Sequence, residues 1–410
     1  PKGSDVKLTV IPAAAGDDTV RKVITITRDE VKLEDQFAKA YIIERKDTTG
    51  KPVRLGVVDL RQFYDKCTRD VRKLIERLKN EGIDGLVLDL RRNGGGILPE
   101  AIAMGGLFIE SGPVVQVKSI NGRTRVFPDP DKGIAYEGPL VVAVSQLSAS
   151  ASEIVAAALQ DYGRAVIVGG KTTHGKGTVQ QLVPINRNVF GKGPDLGTLK
   201  FTVSTFYRID GTSTQRDGVL SDIVLPSVFD HLEIGEASLP RALKVRPIAR
   251  AEYTEQKKVK PYLAYLDKHS RQRTSKDPDY KYISEDIVRA KKQVADKSLS
   301  LNETERRGER TENKARTEAR KKEREARAPR KEVVFEVSLN TARTDTIVKK
   351  IDPKQKKKPE AKPDPKNPDA PESLVNPQSA AVLDANMHET LSILGEYIRL
   401  LGKAKKLSQN

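Results

Sequence analysis

Short, almost wholly apolar segments alternate with amphipathic ones between about residues 35 and 226. Apolar runs of this length, bounded by turn residues, are typical of strands that are buried on both faces of a sheet. We expect strands at 54–59, 85–89, 113–118, 139–144, 165–169, 177–183 and 198–206, and helices at 61–80, 97–109 and 150–162. This alternation predicts an α/β fold with parallel strand pairs, whose closely spaced later strands (177–206) are antiparallel.

The pattern changes at both ends of the chain. Two alternating segments at 6–12 and 21–28 predict a β-hairpin, which is too small to fold alone and is expected to end a larger domain. After residue 226 we expect mixed helices (227–300), a charged helix (301–330), one strand (333–340), a flexible linker rich in Pro and Lys (352–376) and an amphipathic helix (379–403).

The charge balance invites a nucleic-acid interpretation, because the 410 residues carry a net charge of +17. Residues 251–370 contribute +11 of this excess, but acidic residues interrupt the basic ones throughout 303–327, so no single-sign stripe forms. With one cysteine, Cys67, and four histidines, the chain shows no zinc-ligand set and has no intramolecular disulfide. It also contains no run of 18 apolar residues, so no membrane span is expected.

The first candidate for chemistry is LVLDLRRNGGG at 86–96, where an apolar strand breaks into three glycines before a helix. Glycines at this position let the backbone turn sharply, and free N–H groups beside a helix N-terminus can bind a phosphate or an oxyanion. A tight turn between strand and helix, without any ligand, explains the same residues. The spacing matches neither a P-loop nor a dinucleotide fingerprint.

The second candidate is SQLSASASEIV at 145–155, a cluster of small residues that follows a strand and opens a helix. A serine at such a junction lies where the helix N-terminus stabilises negative charge on an attacked carbonyl group. The alternative is that Ser148, Ser150 and Ser152 only cap the helix or begin its first turn.

The third candidate is GGKTTHGKGTVQQ at 169–181, a glycine-rich loop in which Gly175 and Gly177 flank Lys176. A lysine acts as general base only if its pKa falls from about 10.4 toward 7, which requires burial away from counter-charges. Isolated lysines in such loops more often bind phosphate or are solvated. His174 is the one histidine near the serine cluster in the pattern, since the other three lie in or beside the tail.

Together the three segments supply oxyanion donors, a nucleophile and a base, in that order along an α/β pattern. Four motifs, DLRRNGGG, SASASE, GKGTVQ and FYRIDGTSTQRDGVLSDIVLP (206–226), closely resemble those of the bacterial tail-specific proteases. These are Ser–Lys serine peptidases that carry a PDZ domain. The resemblance runs from about residue 1 to 226 and continues more loosely through the basic helical region.

The resemblance implies Ser150 as the nucleophile, Lys176 as the base and Gln180 as the residue that orients the lysine. It further implies an oxyanion hole and supporting residues, namely Gly95 or Gly96 with Ala151, and Glu153, Asp161 and Thr173. The loop before Lys176 is one residue longer than the family pattern and carries a histidine where the family has an aromatic residue. Lys171 therefore stays open as an alternative base.

The resemblance also implies a crotonase/Clp-protease-like core without metal or other cofactor. It divides the chain into the remnant of a PDZ domain, a protease domain, a basic helical domain, a linker and a terminal helix, at 1–27, 28–226, 227–350, 351–376 and 377–410. Family substrates are unfolded polypeptide C-termini, a lipoprotein adaptor is a further partner, and family members work in the periplasm.

Two other interpretations are left open by the residues. The fold could serve as a non-catalytic peptide-binding scaffold whose working part is the basic tail. Alternatively, the chain could bind nucleic acid through residues 251–370, with a binding constant that depends steeply on salt.

Overall fold

The computed structural model describes residues 2–11, 19–29, 37–185, 196–298, 300–328, 330–342, 349–351 and 383–407. The chain divides into two compact units. The larger unit comprises Phe37–Ser298, Lys331–Lys350 and Val382–Asn410, and the smaller comprises Pro1–Gln36, Leu299–Arg330 and Ile351–Ala381. The predicted linker at 352–376 lies outside the described residues.

The described residues of the two units together form fourteen strands and eight α-helices. The strands are β1 (Asp5–Val10), β2 (Lys22–Thr27), β3 (Lys39–Lys46), β4 (Pro52–Asp59), β5 (Gly85–Asp89), β6 (Pro113–Ser119), β7 (Thr124–Pro128), β8 (Leu140–Val144), β9 (Val166–Gly169), β10 (Thr178–Pro184), β11 (Thr198–Tyr207), β12 (Ile223–Val224), β13 (Val333–Val337) and β14 (Lys349–Ile351). The helices are α1 (Cys67–Asn80), α2 (Leu98–Gly106), α3 (Ala151–Asp161), α4 (Leu263–Thr274), α5 (Pro278–Asp296), α6 (Glu303–Ala326), α7 (Leu339–Ala342) and α8 (Ala385–Leu407).

The central sheet has eight strands in the order β12-β9-β8-β5-β4-β3-β13-β14. The strands from β12 to β4 run parallel to one another, whereas β3 is antiparallel to both of its neighbours, β4 and β13. Every residue of β8 is buried, as expected for a strand that is covered on both faces. The predicted α/β fold with parallel pairs is confirmed.

A second sheet has the order β10-β11-β6-β7, and all of its pairs are antiparallel. The prediction that the later strands are antiparallel is therefore confirmed. Four strands were not predicted, namely β3, β7 and the two short strands β12 and β14. In β3 the buried apolar run, Ala40–Ile43, is only four residues long before charged residues follow, and β7 is mostly exposed, so the apolar signal of each strand is weak.

The predicted helix at 61–80 begins only at Cys67. Ahead of this helix, Phe63 forms an isolated β-bridge with Gly96, and its side chain is buried. Gly96 belongs to the glycine turn, which is the name used below for Gly94, Gly95 and Gly96. The Phe63 N–H donates to the Gly95 carbonyl oxygen at 3.0 Å, and the Ile97 N–H donates to the Phe63 carbonyl oxygen at 2.9 Å. Tertiary hydrogen bonds therefore override the helical pattern at this point.

The smaller unit contains the predicted hairpin. Strands β1 and β2 pair antiparallel, with Asp5 opposite Thr27, and their apolar side chains are largely exposed, including Leu8 (44%) and Val23 (59%). Its assignment to a PDZ domain stays a prediction. The same unit contains α6, which has no buried residue and is capped by Asn302, whose Oδ1 accepts the N–H of Thr304 at 2.9 Å.

Three segments beyond residue 226 are part of the larger unit, namely 227–298, 331–350 and 382–410. The predicted strand at 333–340 is present as β13, which pairs with β3 in the central sheet. The last helix, α8, begins at Ala385 and buries five apolar side chains, those of Met387, Leu391, Ile393, Leu394 and Tyr397. No helix in the described part of the chain is both long and apolar enough to cross a membrane.

Candidate active site

Ser150 lies between strand β8 and helix α3, at the N-cap position of the helix. Its backbone has φ 56° and ψ −109°, a conformation that costs roughly 1–3 kcal/mol in a residue with a side chain. A strained serine at a sharp turn from strand to helix is the arrangement of a nucleophile elbow. The N–H of Ser150 donates to Glu153 Oε2 at 2.7 Å, and this hydrogen bond stabilises the strained backbone conformation.

The neighbouring serines have structural partners. Ser148 Oγ donates to the Leu90 carbonyl oxygen at 2.7 Å, and Ser152 Oγ donates to the Asn93 carbonyl oxygen at 2.8 Å. Both side chains are fully buried, whereas Ser150 is only half-buried. Of the three serines in the cluster, Ser150 is thus the one that a substrate can reach.

The glycine turn packs directly against Ser150. A side chain at Gly95 would place its Cβ 2.8 Å from the Ala149 carbonyl oxygen and 2.9 Å from Ser150 Cβ, so only glycine fits there. Gly95 and Gly96 have φ of 105° and 147°, which also favours glycine. The first and second sequence motifs therefore meet in space, as the interpretation of them as one site requires.

The three proposed oxyanion donors differ in how their N–H groups are used. The Gly95 N–H donates to Asn93 Oδ1 at 2.9 Å, which occupies it and argues against Gly95 as a donor. Within the described residues, the N–H groups of Gly96 and Ala151 make no hydrogen bond. Gly96 and Ala151 are therefore the pair available to an oxyanion.

Asn93 is a residue of this site that the sequence analysis did not single out. Its side chain is fully buried, and Nδ2 donates to the Leu60 carbonyl oxygen at 2.9 Å while Oδ1 holds Gly95. Its carbonyl oxygen accepts the Ala149 N–H at 3.1 Å, in addition to the Ser152 hydroxyl. Asn93 therefore joins the glycine turn to the serine turn, which is the segment 145–150 between β8 and α3. An asparagine two residues before glycine is a turn signal that could have identified it.

Glu153 links Ser150 to the lysine loop, which is the segment 170–177 between β9 and β10. Its Oε2 accepts the N–H of Ser150 at 2.7 Å and the N–H of Lys176 at 2.9 Å. Its Oε1 accepts the N–H of Gly175 at 2.7 Å and the hydroxyl of Thr173 at 2.6 Å. One fully buried carboxylate thus fixes the backbone of both proposed catalytic residues.

Further bonds hold the backbone of the lysine loop. The Gly175 carbonyl oxygen accepts the Arg216 N–H at 2.7 Å, and the Gly177 N–H donates to Gln215 Oε1 at 2.8 Å. Lys176 itself is half-buried, and its Nζ forms no hydrogen bond or ion pair with any described residue. A lysine without a carboxylate partner suits the role of a base, since such a partner would hold the proton on it.

Thr173 and Asp161 hold different parts of the structure. The Thr173 hydroxyl donates to Glu153 and accepts the Val219 N–H at 2.8 Å, so it supports the lysine loop directly. Asp161 lies at the end of α3 and forms an ion pair with Arg208, which joins this helix to the residues after β11. Burial raises the pKa of Asp161 to about 6, against the lowering effect of Arg208.

The role of Gln180 in orienting Lys176 stays a prediction. Gln180 lies on β10, where it is opposite Thr202, and its side chain is exposed. Across the described residues, no hydrogen bond joins it to Lys176. Backbone bonds to Glu153 and Gln215, rather than Gln180, hold the lysine loop in this structure.

The two alternative bases are positioned differently from Lys176. The His174 N–H donates to the Ser148 carbonyl oxygen at 2.9 Å, and its imidazole Nε2 lies 3.9 Å from Glu236 Oε2. The Lys171 side chain is exposed and its backbone N–H is bound by Asp230. Neither residue shares the Glu153 carboxylate with Ser150, as Lys176 does.

Glu153 is expected to make stability depend on pH. Burial raises the pKa of Glu153 to about 7 from 4.5, although its hydrogen bonds act to lower it. Between these values the native state holds a proton that the unfolded state has lost, so the free energy of unfolding falls as pH rises. For this group the decrease is on the order of 3 kcal/mol, and it is complete above about pH 7.

The matched variant is Glu153→Gln, which keeps the shape but cannot ionise. We expect it to lose this pH-dependent component, and to reduce kcat at least about tenfold because its NH₂ group cannot accept the N–H groups of the two loops. Urea unfolding at pH 5 and pH 8 measures the difference between the two proteins. An identical pH dependence in both would contradict the assignment to Glu153.

Two family models match the chain. Residues 54–225 match the model "Peptidase family S41", and residues 229–399 match the model "C-terminal domain of tail specific protease". The first match contains the serine turn, the glycine turn and the lysine loop. The second contains α4, α5, α6 and β13 and most of α8.

Individual relatives agree with the family models. The chain is 40% identical over 318 residues to the tail-specific protease of Haemophilus influenzae, an alignment that covers 77% of this chain and 44% of the relative. It is 33% identical over 232 residues to the carboxy-terminal-processing protease of Bartonella bacilliformis, covering 54% and 49%. The chain thus spans about half the length of the curated relatives it matches. A solved photosystem II D1 C-terminal processing protease aligns at 27% identity with a TM-score of 0.41, covering 54% of this chain and 56% of that one.

Proposed function

This chain belongs to peptidase family S41, in its tail-specific, C-terminal processing branch, and from that premise we propose that it is an ATP-independent serine endopeptidase. Ser150 is the nucleophile, Lys176 is the general base, and the N–H groups of Gly96 and Ala151 form the oxyanion hole. The observation that carries the proposal is the Glu153 carboxylate, which binds the backbone N–H groups of Ser150 and Lys176 with one oxygen atom.

The reaction proceeds in two halves. Ser150 Oγ attacks the peptide carbonyl carbon while its proton passes to Lys176 Nζ, and the negative oxygen is bound by Gly96 and Ala151. The C–N bond then breaks, and the lysine returns the proton to the leaving amine. In the second half, water loses a proton to Lys176 Nζ and attacks the ester carbonyl carbon, the bond from that carbon to Ser150 Oγ breaks, and Lys176 returns the proton to Ser150 Oγ.

The positioning of both loops supports this assignment. The lysine loop is tied by its backbone at Gly175, Lys176 and Gly177, so its position does not depend on the flexible lysine side chain. Preorganised donors and a fixed base act without reorganisation at the moment of reaction, which is where such sites gain most of their rate.

By analogy with the relatives, we propose that the substrates are unfolded polypeptide C-termini. Gly95 packs directly against Ser150, and neither Gly95 nor Gly96 has a side chain, which favours an extended substrate backbone beside Ser150 over a folded surface. By the same family argument we propose action on exported proteins in the periplasm, with a lipoprotein adaptor as partner. The nucleic-acid alternative is not favoured, since the two family models together cover most of residues 54–399.

A digestion experiment tests the proposal. We expect the chain to cleave a disordered polypeptide and to leave a compact folded domain intact, because an extended segment must lie beside the glycine and serine turns. Hydrolysis should proceed without ATP and persist in EDTA, since each step uses only side chains and backbone N–H groups of this chain. Mass spectrometry identifies the products, and a requirement for ATP or for a divalent cation would contradict the mechanism.

A further inference from the structure

The terminal helix α8 is built into the core of the larger unit. Leu394 and Ile398 approach β5 so closely that a Cβ at Gly85 would lie 2.9 Å and 2.8 Å from their Cδ1 atoms. On its other side, Glu389 and Glu396 form ion pairs with Arg273 of α4, each at 2.7 Å. The helix is therefore a fixed layer over the sheet that carries the active-site turns.

Asp384, the residue before α8, connects this layer to the glycine motif. Its two carboxylate oxygens accept hydrogen bonds from Arg91 Nη1 at 2.7 Å and 2.9 Å. Its Oδ1 also accepts the Met387 N–H at 2.8 Å, which caps the helix. The remaining N–H groups of Arg91, on Nε and Nη2, bind Asp89 at 2.9 Å and 2.8 Å. Arg91, with 11% of its side chain exposed, is thus held between two carboxylates.

The backbone around Arg91 in turn holds the serine turn. The Arg91 carbonyl oxygen accepts the Ser145 hydroxyl at 2.5 Å, and the same hydroxyl oxygen accepts the Leu147 N–H at 3.1 Å. Leu90 and Asn93, on either side, accept the hydroxyls of Ser148 and Ser152. Three serine hydroxyls thus bind the backbone between β5 and Gly96, and the bond to Arg91 is one of them. These bonds align the segment that contains Gly96 with the segment that contains Ser150 and Ala151.

From this chain of contacts we propose that Asp384 is a positioning residue for the oxyanion hole, acting through Arg91. The inference rests on the proposed function, since it assigns Asp384 a role in the same site. Asp89 binds Nε and Nη2 of the guanidinium, and Asp384 adds charge-assisted bonds to Nη1, the nitrogen that Asp89 leaves open, so the group is held from both sides. Without Asp384, the Arg91 guanidinium keeps only Asp89, which ends β5 two residues earlier in the same segment and cannot fix the guanidinium relative to α8.

The experiment compares three variants of the full chain. Asp384→Asn removes the charge but keeps a good N-cap, and Asp384→Ala removes both. Glu389→Gln weakens a buried ion pair of the same helix that does not contact the active-site turns. Hydrolysis of a disordered peptide gives kcat and KM, and thermal unfolding reports stability.

We expect Asp384→Asn to lower kcat about tenfold with KM within about twofold, because small misplacements of reacting groups act on the chemical step. Asp384→Ala should unfold at a lower temperature but lose no more kcat than Asp384→Asn. Glu389→Gln should keep the wild-type kcat even though its unfolding temperature falls. A wild-type kcat in Asp384→Asn, or an equal loss in Glu389→Gln, would overturn the positioning role alone. Absence of Ser150-dependent hydrolysis in the wild-type chain would overturn the proposed function and this inference together.

Discussion

Replacing Ser150 by alanine is expected to reduce peptide hydrolysis by at least about 10⁴-fold, because the variant has no atom that can form the acyl-enzyme. The fold should survive, since the structure holds this residue through its backbone N–H and its close contact with Gly95. Alanine also keeps the Cβ that packs against the glycine turn. Steady-state hydrolysis of a disordered peptide, with circular dichroism as a check on folding, measures the effect.

Ser148→Ala and Ser152→Ala are the matched controls. Each removes a buried hydroxyl that donates to a carbonyl oxygen, so each should cost about 1 kcal/mol of stability and leave activity within about tenfold of wild type. A serine-reactive phosphonate should label the wild-type chain and both controls but not Ser150→Ala. If Ser150→Ala stayed active while one control was inactive, the nucleophile would be that other serine.

Replacing Lys176 by arginine should be as damaging as replacing it by alanine, with a loss of at least about 10³-fold in kcat. Arginine keeps the positive charge and most of the length, but a guanidinium cannot lose its proton near neutral pH and so cannot accept one from Ser150. The backbone bonds of Lys176 to Glu153 and of its neighbours do not involve the replaced side chain. The loop should therefore keep its position in both variants.

His174→Ala and Lys171→Ala separate the alternative bases. Both should retain most of the wild-type kcat, because their partners in the structure, Glu236 and Asp230, do not bind Ser150 or Ala151. The comparison uses the same peptide at one pH for all four variants. Full activity in Lys176→Ala would remove the Ser–Lys mechanism, and inactivity of His174→Ala would direct attention to the imidazole.

The sequence alone determined the elements whose signals are local. Runs of buried apolar residues predicted β5, β8 and β9 to within a residue or two, because a strand covered on both faces admits few polar positions. Glycines and small residues at the strand ends marked the turns, since only they allow positive φ or close backbone approach at Gly95 and Gly96. The order of these motifs was sufficient to propose a serine, a lysine and an oxyanion hole.

Only the tertiary structure decided how those motifs meet. Glu153 serves both loops because folding brings residue 175 back to the start of α3, which no local pattern encodes. The occupied N–H of Gly95 and the exposed position of Gln180 follow from Asn93 and from strand pairing. The Arg91–Asp384 bond joins residues that are 293 positions apart. Hydrogen bonds and ion pairs between distant segments depend on how the sheet and α8 pack. The sequence shows that a residue is charged, but only the packed structure shows which oppositely charged residue lies beside it.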